Sequence, residues 1–192
     1  MKRLFLSFLM TMGSVFAFAG WEVDPTGSHI GFASVKNDLI AENHTFTEVT
    51  GRVSVAGEAN IKVTLASVET LIPLRNERMQ TMLFNIAKFP QATITSEVPV
   101  NELSLMATGE SSVLDIELLI DLHGKELKKS VPVKVTSIGD NGFDVSSLGP
   151  IIVHASQFAL SDSVDALRKI AGLQSIDLMV PVTFDLRLLA TN

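Results

Sequence analysis

Two long segments of the chain alternate between apolar and polar residues along most of their length, and this alternation constrains the fold more than any other feature. In "SVLDIELLIDLHG" the apolar residues occupy even positions from Leu114 to Leu122, opposite polar neighbours such as Asp115. In "IDLMVPVTFDLRLL" they again occupy even positions, from Ile176 to Leu188. Successive side chains of a β-strand point to opposite faces, so each segment predicts a long strand with one buried face.

Weaker alternation in six other segments raises the prediction to about eight strands, separated by turn signals such as "HGKE" and "GDNG". These segments are "HIGFASV", "EVTGRVSV", "NIKVTLASV", "ATITSEVPV", "SVPVKVTSI" and "DVSSLGPIIVHASQF". An antiparallel sheet of this size cannot leave two long edges and an apolar face in water, so it must form a sandwich or a closed barrel. Such a barrel either fills its interior with side chains or holds one ligand; the aliphatic inner face and the long strands favour a ligand.

Two segments depart from the β pattern and predict short helices. The first, "IPLRNERMQTMLFNIAKFP", predicts a helix over 75–86 with one apolar face directed at the barrel interior, formed by Met79, Met82, Leu83 and Ile86. Ordinary core packing is the alternative for this face, since Met is a common gap-filler. Arg75 and Arg78 are three residues apart and can meet an anionic head group, or else form a solvated face.

The second helical segment is "LSDSVDALRKIAGL". Ser161 or Asp162 is expected to cap its N-terminus, and Gly172 is expected to end it. The apolar stripe predicted for this helix consists of Val164, Leu167 and Ile170.

The first residues, "MKRLFLSFLMTMGSVFAFAG", have the pattern of a secretory signal peptide. Lys2 and Arg3 precede an apolar run, and Ala17 and Ala19 form a small-x-small cleavage site. The run is short for a membrane anchor and ends in small residues, so residues 1–19 are predicted to be removed. Residues 20–192 would then form one domain, exported to a bacterial periplasm or secreted.

Composition narrows the function further. The chain has a net charge of −6 and the predicted leader holds none of its acidic residues, so nucleic-acid binding is not expected. No cysteine is present, which excludes disulfides, thiol catalysis and a lipid-modified N-terminal cysteine. The four histidines are isolated along the chain and no catalytic or phosphate-binding motif occurs. We therefore predict no metal, no cofactor and no enzymatic activity.

The aromatic residues suit a dry interior, because the chain has eleven Phe, one Trp and no Tyr. The phenylalanines predicted to line a core or a pocket are Phe32, Phe46, Phe84, Phe89, Phe143, Phe158 and Phe184.

Several of these stretches, taken in order, resemble the YceI family. They are "VDPTGSHIGF", "ASVKN", "AENHTF", "LRNERMQTMLFNIAKFPQATITSEV", "IDLHGKELKKSVPVKV" and "PIIVHASQFALSDSVDALRKIAGLQSI" followed by "VPVTFDL". The resemblance implies an all-β, mainly antiparallel, lipocalin-like barrel with one or two short helices, which holds a polyisoprenoid or similar long-chain lipid in an apolar tunnel. Gly27, Asn37 and Asn76 depart from the common family pattern, which often has His at the first two positions and Asp at the third.

Strand alternation, the helical face and the resemblance together define a set of candidate site residues. The predicted tunnel lining is Phe32, Phe46, Met79, Met82, Leu83, Ile86, Leu114, Ile116, Leu118, Phe158, Val182 and Phe184. The candidates for contacting a head group are Asn37, His44, Arg75 and Arg78.

Three functions fit the sequence. A lipid-binding protein requires an apolar cavity, and burial of each methylene contributes ~0.8 kcal/mol. An enzyme acting on such a lipid requires a cluster of titratable side chains with perturbed pKa values. A structural or partner-binding barrel requires a solid interior and an exposed apolar patch. The first is favoured; the ligand's chain length, its head group and the oligomeric state do not follow from the sequence.

Overall fold

The structure is a computed structural model that describes residues 20–139 and 141–191, so the predicted signal peptide lies outside the described residues. The described residues form twelve strands: β1 (Gly20–Val23), β2 (His29–Lys36), β3 (Ile40–Phe46), β4 (Val49–Ser54), β5 (Glu58–Thr64), β6 (Val68–Glu69), β7 (Gln91–Glu97), β8 (Ser111–Leu122), β9 (Lys125–Ile138), β10 (Gly142–Ser147), β11 (Ile151–His154) and β12 (Met179–Thr191). The helices are α1 (Pro73–Arg78), α2 (Val100–Leu103) and α3 (Ser161–Ile170), with a π-helical turn at Met79–Leu83 and 3-10 turns at Leu65–Ser67 and Ala155–Phe158.

Eight of the strands close into an antiparallel barrel, which confirms the predicted fold class. Their order around the barrel is β1, β4, β5, β7, β8, β9, β10 and β12. Closure occurs at β12, where Leu188 is paired with Phe143 of β10 on one side and with Val23 of β1 on the other. The ring therefore leaves none of these eight strands as a free edge.

The longest ladder joins β8 to β9 through the two-residue turn predicted at "HGKE". Both turn residues have positive φ, 57° at His123 and 71° at Gly124. This is the pattern of the hairpin turn whose twist matches that of the flanking strands.

The remaining strands lengthen the barrel at one end. β2 pairs with β12, where Phe32 opposes Val182, and with β3, where Phe32 opposes His44. β11 also pairs with β12, and β6 pairs with β3. The helices α1 and α3 reach this end as well, because Arg75 of α1 contacts Glu42 of β3 and the chain after α3 is bonded to Asn37.

Strand alternation along β8 matches the predicted register. Ile116 is 7% exposed, whereas its neighbours Asp115 and Glu117 are exposed. The same alternation holds along β12, except that Leu178, predicted to share the inner face, precedes the strand and is exposed. Of the described strands, all except β3 contribute a residue to the main buried core, which lies inside the barrel.

The predicted helix over 75–86 differs from the structure. Helix α1 begins at Pro73, and after Arg78 the chain widens into a π-helical turn in which the Phe84 amide donates to the Met79 carbonyl, 2.9 Å away. This turn contains an extra residue, so the buried side chain that follows Met79 is Phe84. Phe84 packs on Phe46 with ring centroids 5.9 Å apart. A regular helical period does not predict this placement.

The predicted cap of α3 is also wrong. The N-cap position is Leu160, and neither Ser161 nor Asp162 makes a side-chain capping hydrogen bond. The predicted end is confirmed: Gly172 has φ +65°, and the amides of Gly172 and Leu173 donate to the carbonyls of Lys169 and Arg168. This pair of bonds is the usual glycine-terminated helix end.

Strands β1 and β3 have no counterpart among the strands predicted from alternation. The β3 sequence, "IAENHTF", is mostly polar in its middle and therefore shows no regular alternation of apolar residues. Its pairing with β2 extends over seven residues, from Ile30↔Phe46 to Lys36↔Ile40. The same polar side chains that prevented this strand from being predicted lie at one end of the barrel.

Candidate functional site

The barrel encloses a cavity of about 450 Å³. Nearly all of its wall is apolar, and the wall includes residues from every strand of the closed ring. Nine predicted lining residues lie on it: Phe32, Phe46, Met79, Leu83, Ile116, Leu118, Phe158, Val182 and Phe184. A fully packed barrel, the alternative left open by the sequence, is excluded by this cavity.

Three predicted lining residues lie outside the cavity wall. Met82 and Ile86 are half-buried. Because of the π-helical turn, Phe84 faces the cavity in their place. Leu114 is partly buried and packs against the core without reaching the cavity. Helical period and strand alternation identify an inner face but not the depth at which each side chain meets open space.

Many lining residues were not among the predicted set. They include Trp21, Ile61, Ile94, Val135, Val145, Leu167 and Leu188. Most of these residues lie on the weaker alternating segments. Applying the period-two pattern to each of those segments would have identified them.

One end of the cavity carries charged side chains from β2, β3 and α1. The Lys36 Nζ atom lies 2.6 Å from the Glu42 Oε2 atom, and the Arg75 Nη1 atom lies 2.8 Å from the same oxygen. The second terminal nitrogen of Arg75 donates to the Thr70 carbonyl at 2.6 Å. We call the polar and charged lining residues at this end the polar end of the cavity. They are Ser34, Lys36, Glu42, His44, Arg75, Arg78 and Asp177.

The cationic partners determine the charge state of Glu42. The hydrogen bond from Lys36 is the main cause that lowers the pKa of this carboxyl, and the hydrogen bond from Arg75 acts in the same direction. Glu42 is therefore a carboxylate at neutral pH, shared by two cations.

His44 is a buried polar side chain on the cavity wall, only 6% exposed. Its Nε2 atom is 2.8 Å from the Ser34 hydroxyl, whereas its Nδ1 atom has no hydrogen-bond partner among the described residues. Burial is the main cause that lowers the pKa of His44, and the charge of Arg75 adds to it. The imidazole is thus neutral at pH 7 and presents a free nitrogen.

Arg78 also lines the cavity, half-buried, and makes no hydrogen bond or ion pair with any residue in the described part of the chain. Asn37, the remaining head-group candidate, does not line the cavity. Its side-chain oxygen accepts a hydrogen bond from the Gln174 amide at 2.9 Å, which fastens the β2–β3 turn to the segment after α3.

Asn76, where the resemblance implies an Asp, does not line the cavity. Its Oδ1 atom accepts hydrogen bonds from the Thr70 amide and hydroxyl, and its amide donates to Glu69 at 3.1 Å. An amide can both accept and donate, whereas a carboxylate at this position would face Glu69 without a proton to donate. Asn76 therefore positions the loop that supports Arg75.

We expect acidification to destabilise the protein through His44. The unfolded chain takes up a proton near the ordinary pKa of 6.5, whereas the folded chain does so only at lower pH. The free energy of unfolding should therefore fall as the pH drops from about 7 to about 5.5, by at most about 1.4 kcal/mol per pH unit. Arg75, Lys36 and Glu42 are the charged groups that act on this imidazole, and Glu42 titrates below this range.

Urea unfolding of lipid-free protein across this pH range measures the effect. His44→Gln should flatten the dependence, whereas His29→Gln, a substitution at an exposed position on β2, should retain it. An unchanged slope in His44→Gln would contradict the assignment.

Within residues 20–139 and 141–191, no group of three or more His, Asp or Glu side chains is placed to hold a metal ion. Across the same residues, no helix combines the length and the apolar character needed to span a membrane.

A closed antiparallel barrel around an apolar cavity with one polar end defines a β-barrel of the ligand-binding class. Comparison with known families gives the particular one: the profile described as "YceI-like domain" matches residues 21–188, and the chain belongs to this family. The resemblance noted in the sequence is thereby confirmed.

Two solved structures illustrate the likeness. A polyisoprenoid-binding domain from Saccharophagus degradans, implicated in plant cell wall breakdown, is 32% identical, with a TM-score of 0.88 over 90% of this chain and 99% of that one. BcnA from Burkholderia cenocepacia is 18% identical, with a TM-score of 0.66 over 86% of this chain and 98% of that one, which shows the shared fold. Comparison with curated proteins finds no significant match.

Proposed function

We propose that this protein binds a long-chain lipid of the polyisoprenoid kind inside its barrel and performs no chemistry on it. The observation that carries the proposal is the cavity of about 450 Å³, whose wall is apolar except at one end. The 32% identical domain from Saccharophagus degradans, described as polyisoprenoid-binding, supports the same ligand class.

Apolar burial alone can supply the affinity. Each methylene transferred from water to the cavity contributes ~0.8 kcal/mol, so about ten buried carbons contribute ~8 kcal/mol before the entropic cost of binding. The wall offers flexible side chains such as Met79 and Leu83 beside rigid rings such as Phe32 and Phe46. Unbranched side chains adapt to a chain of varying shape, which suits a lipid with many conformers.

One observation favours an enzyme instead. The Ser34 hydroxyl and the His44 imidazole are 2.8 Å apart on the cavity wall, the arrangement of a nucleophile and its base. The His44 Nδ1 atom, however, has no partner among the described residues, so no carboxylate orients the ring as in a catalytic triad. Incubation with a long-chain ester tests this alternative, because catalysis would release the free acid or leave an acyl group on Ser34.

Native mass spectrometry of the purified protein, followed by organic extraction, tests the binding proposal. We expect a mass increment that disappears on extraction, together with an extracted long-chain lipid. A protein that carries no lipid and takes up none from a polyprenyl alcohol would contradict the proposal.

Because of the π-helical turn, we expect different effects on lipid binding from substitution of Met79 and of Met82. Met79 is 7% exposed and lines the cavity, so Met79→Ala should weaken binding of a polyprenyl alcohol about tenfold through lost contact. Met82 lies outside the wall, so Met82→Ala should change the affinity less than about twofold. Equal losses in the two variants would place both side chains on the ligand, as a regular helix would.

We further propose that the chain is exported to the periplasm after removal of residues 1–19. The apolar run and the Ala17-x-Ala19 site support this proposal. The intact mass of protein recovered from a periplasmic extract measures it; a membrane-bound species that retains Met1 would count against it.

A further inference from the structure

The polar end contains nitrogen atoms that the protein itself does not satisfy. Among the described residues, the buried side-chain nitrogen and oxygen atoms without a hydrogen-bond partner are the His44 Nδ1 and Arg75 Nε atoms. Both residues line the cavity. Buried polar atoms are almost always paired, so two unpaired atoms at one end of one cavity indicate a ligand group that pairs with them.

The Arg75 Nε atom requires a hydrogen-bond acceptor, and the His44 Nδ1 atom requires one in one of its two tautomers. The Arg75 Nε atom can only donate. The His44 Nδ1 atom donates when the proton of the Ser34 hydroxyl points at Nε2, an arrangement that the 2.8 Å separation permits. In this tautomer, a ligand that satisfies both atoms at once carries hydrogen-bond acceptors.

The charged side chains of the polar end determine whether a neutral or an anionic acceptor group is favoured. Three cations, Lys36, Arg75 and Arg78, line this end against two carboxylates, Glu42 and Asp177. Lys36 and Arg75 share Glu42, and Arg78 has no anionic partner within the described residues. A local excess of positive charge in a chain of net charge −6 favours an anion, because a neutral head group would leave Arg78 half-buried without a counter-charge.

We infer that the polar end is a head-group subsite for an anionic amphiphile, a lipid phosphate or carboxylate, with Arg78 as its principal charge contact and His44 and Arg75 as donors. The inference rests on the proposed function and adds the orientation of the ligand. The hydrocarbon chain extends along the apolar wall toward Trp21 at β1, and the anionic oxygens remain between β2, β3 and α1.

Three ligands with the same polyprenyl chain test the inference: the alcohol, its monophosphate and the corresponding carboxylic acid. The native protein should bind the phosphate about 10-fold to 100-fold more tightly than the alcohol, the range expected for charge-assisted hydrogen bonds. The carboxylic acid distinguishes a general anion site from a phosphate site. A general anion site binds the acid and the phosphate similarly, whereas a phosphate site binds the phosphate more tightly than both the alcohol and the acid.

Arg78→Gln should abolish most of this preference, measured as the ratio of the phosphate affinity to the alcohol affinity of the same variant. Arg78→Lys, which keeps the charge, should retain part of it. Arg168→Gln is the matched control, because Arg168 lies on α3 outside the cavity wall and pairs with Asp165, while the net charge changes equally.

The outcomes separate the two proposals. Equal affinity for alcohol, phosphate and acid in the native protein, or a preference that persists in Arg78→Gln, would overturn the head-group subsite and leave lipid binding intact. Failure to bind any of the three ligands would overturn both.

Discussion

Ile116→Asp is expected to prevent the protein from folding. Ile116 is 7% exposed on β8 and faces the apolar interior, so the substitution buries a carboxylate with no cationic partner. An unpaired buried charge costs several kcal/mol, which is comparable with the whole stability of a domain, about 5–15 kcal/mol. Urea unfolding monitored by circular dichroism should show no cooperative transition at neutral pH.

Val113→Asp provides the matched control for this prediction. Val113 lies on the same strand but on its outer face, with 57% of its surface exposed. Its replacement introduces the same charge into water and should change the free energy of unfolding by less than about 0.5 kcal/mol. A stable, cooperative Ile116→Asp variant would show that water reaches this part of the barrel.

Ala92→Trp is expected to block the cavity without preventing folding. Ala92 on β7 is 8% exposed and lines the cavity, so a large ring at this position can extend into the open space. Displacement of about three methylenes of the ligand costs ~2.4 kcal/mol, equivalent to about a 50-fold loss of affinity. Titration with a polyprenyl alcohol measures the loss, and circular dichroism verifies the fold.

Thr93→Trp adds the same ring to the adjacent residue. Thr93 does not line the cavity, because neighbouring side chains on a strand point to opposite faces. Affinity should then stay within about twofold of the native value. Equal losses in the two variants would indicate a general disturbance of β7 rather than a blocked cavity.

Strand alternation predicted the barrel well where the strands are long. On β12, Val180, Val182 and Phe184 all lie on the cavity wall, at the period of two seen in the sequence. Alternation is a local property that depends only on which face is buried, so it can be read without knowledge of the pairing partner. The polar strand β3 carried no such signal, and its place in the sheet depends on pairing with β2.

The candidate head-group residues illustrate the opposite case. The sequence grouped Asn37, His44, Arg75 and Arg78, but only the last three reach the cavity. Whether an arginine is paired depends on contacts that are distant in sequence: Arg75 meets Glu42 across 33 positions, whereas Arg78 meets no anion among the described residues. Residue type alone does not distinguish these two arginines.

The sequence by itself determined a mainly antiparallel β-fold with an aliphatic interior, either a sandwich or a closed barrel, because period-two alternation and the need to cover strand edges depend on local pattern and general physics. The family resemblance favoured the barrel, and the pairing of β1 with β12 closes it. Tertiary structure alone decided which side chains meet the cavity and which polar atoms remain unpaired. The π-helical turn after Arg78 moves Met82 off the wall, and the approach of α1 to β3 places the half-buried Glu42 between two cations. These features arise from distant segments brought together, and no local period encodes them.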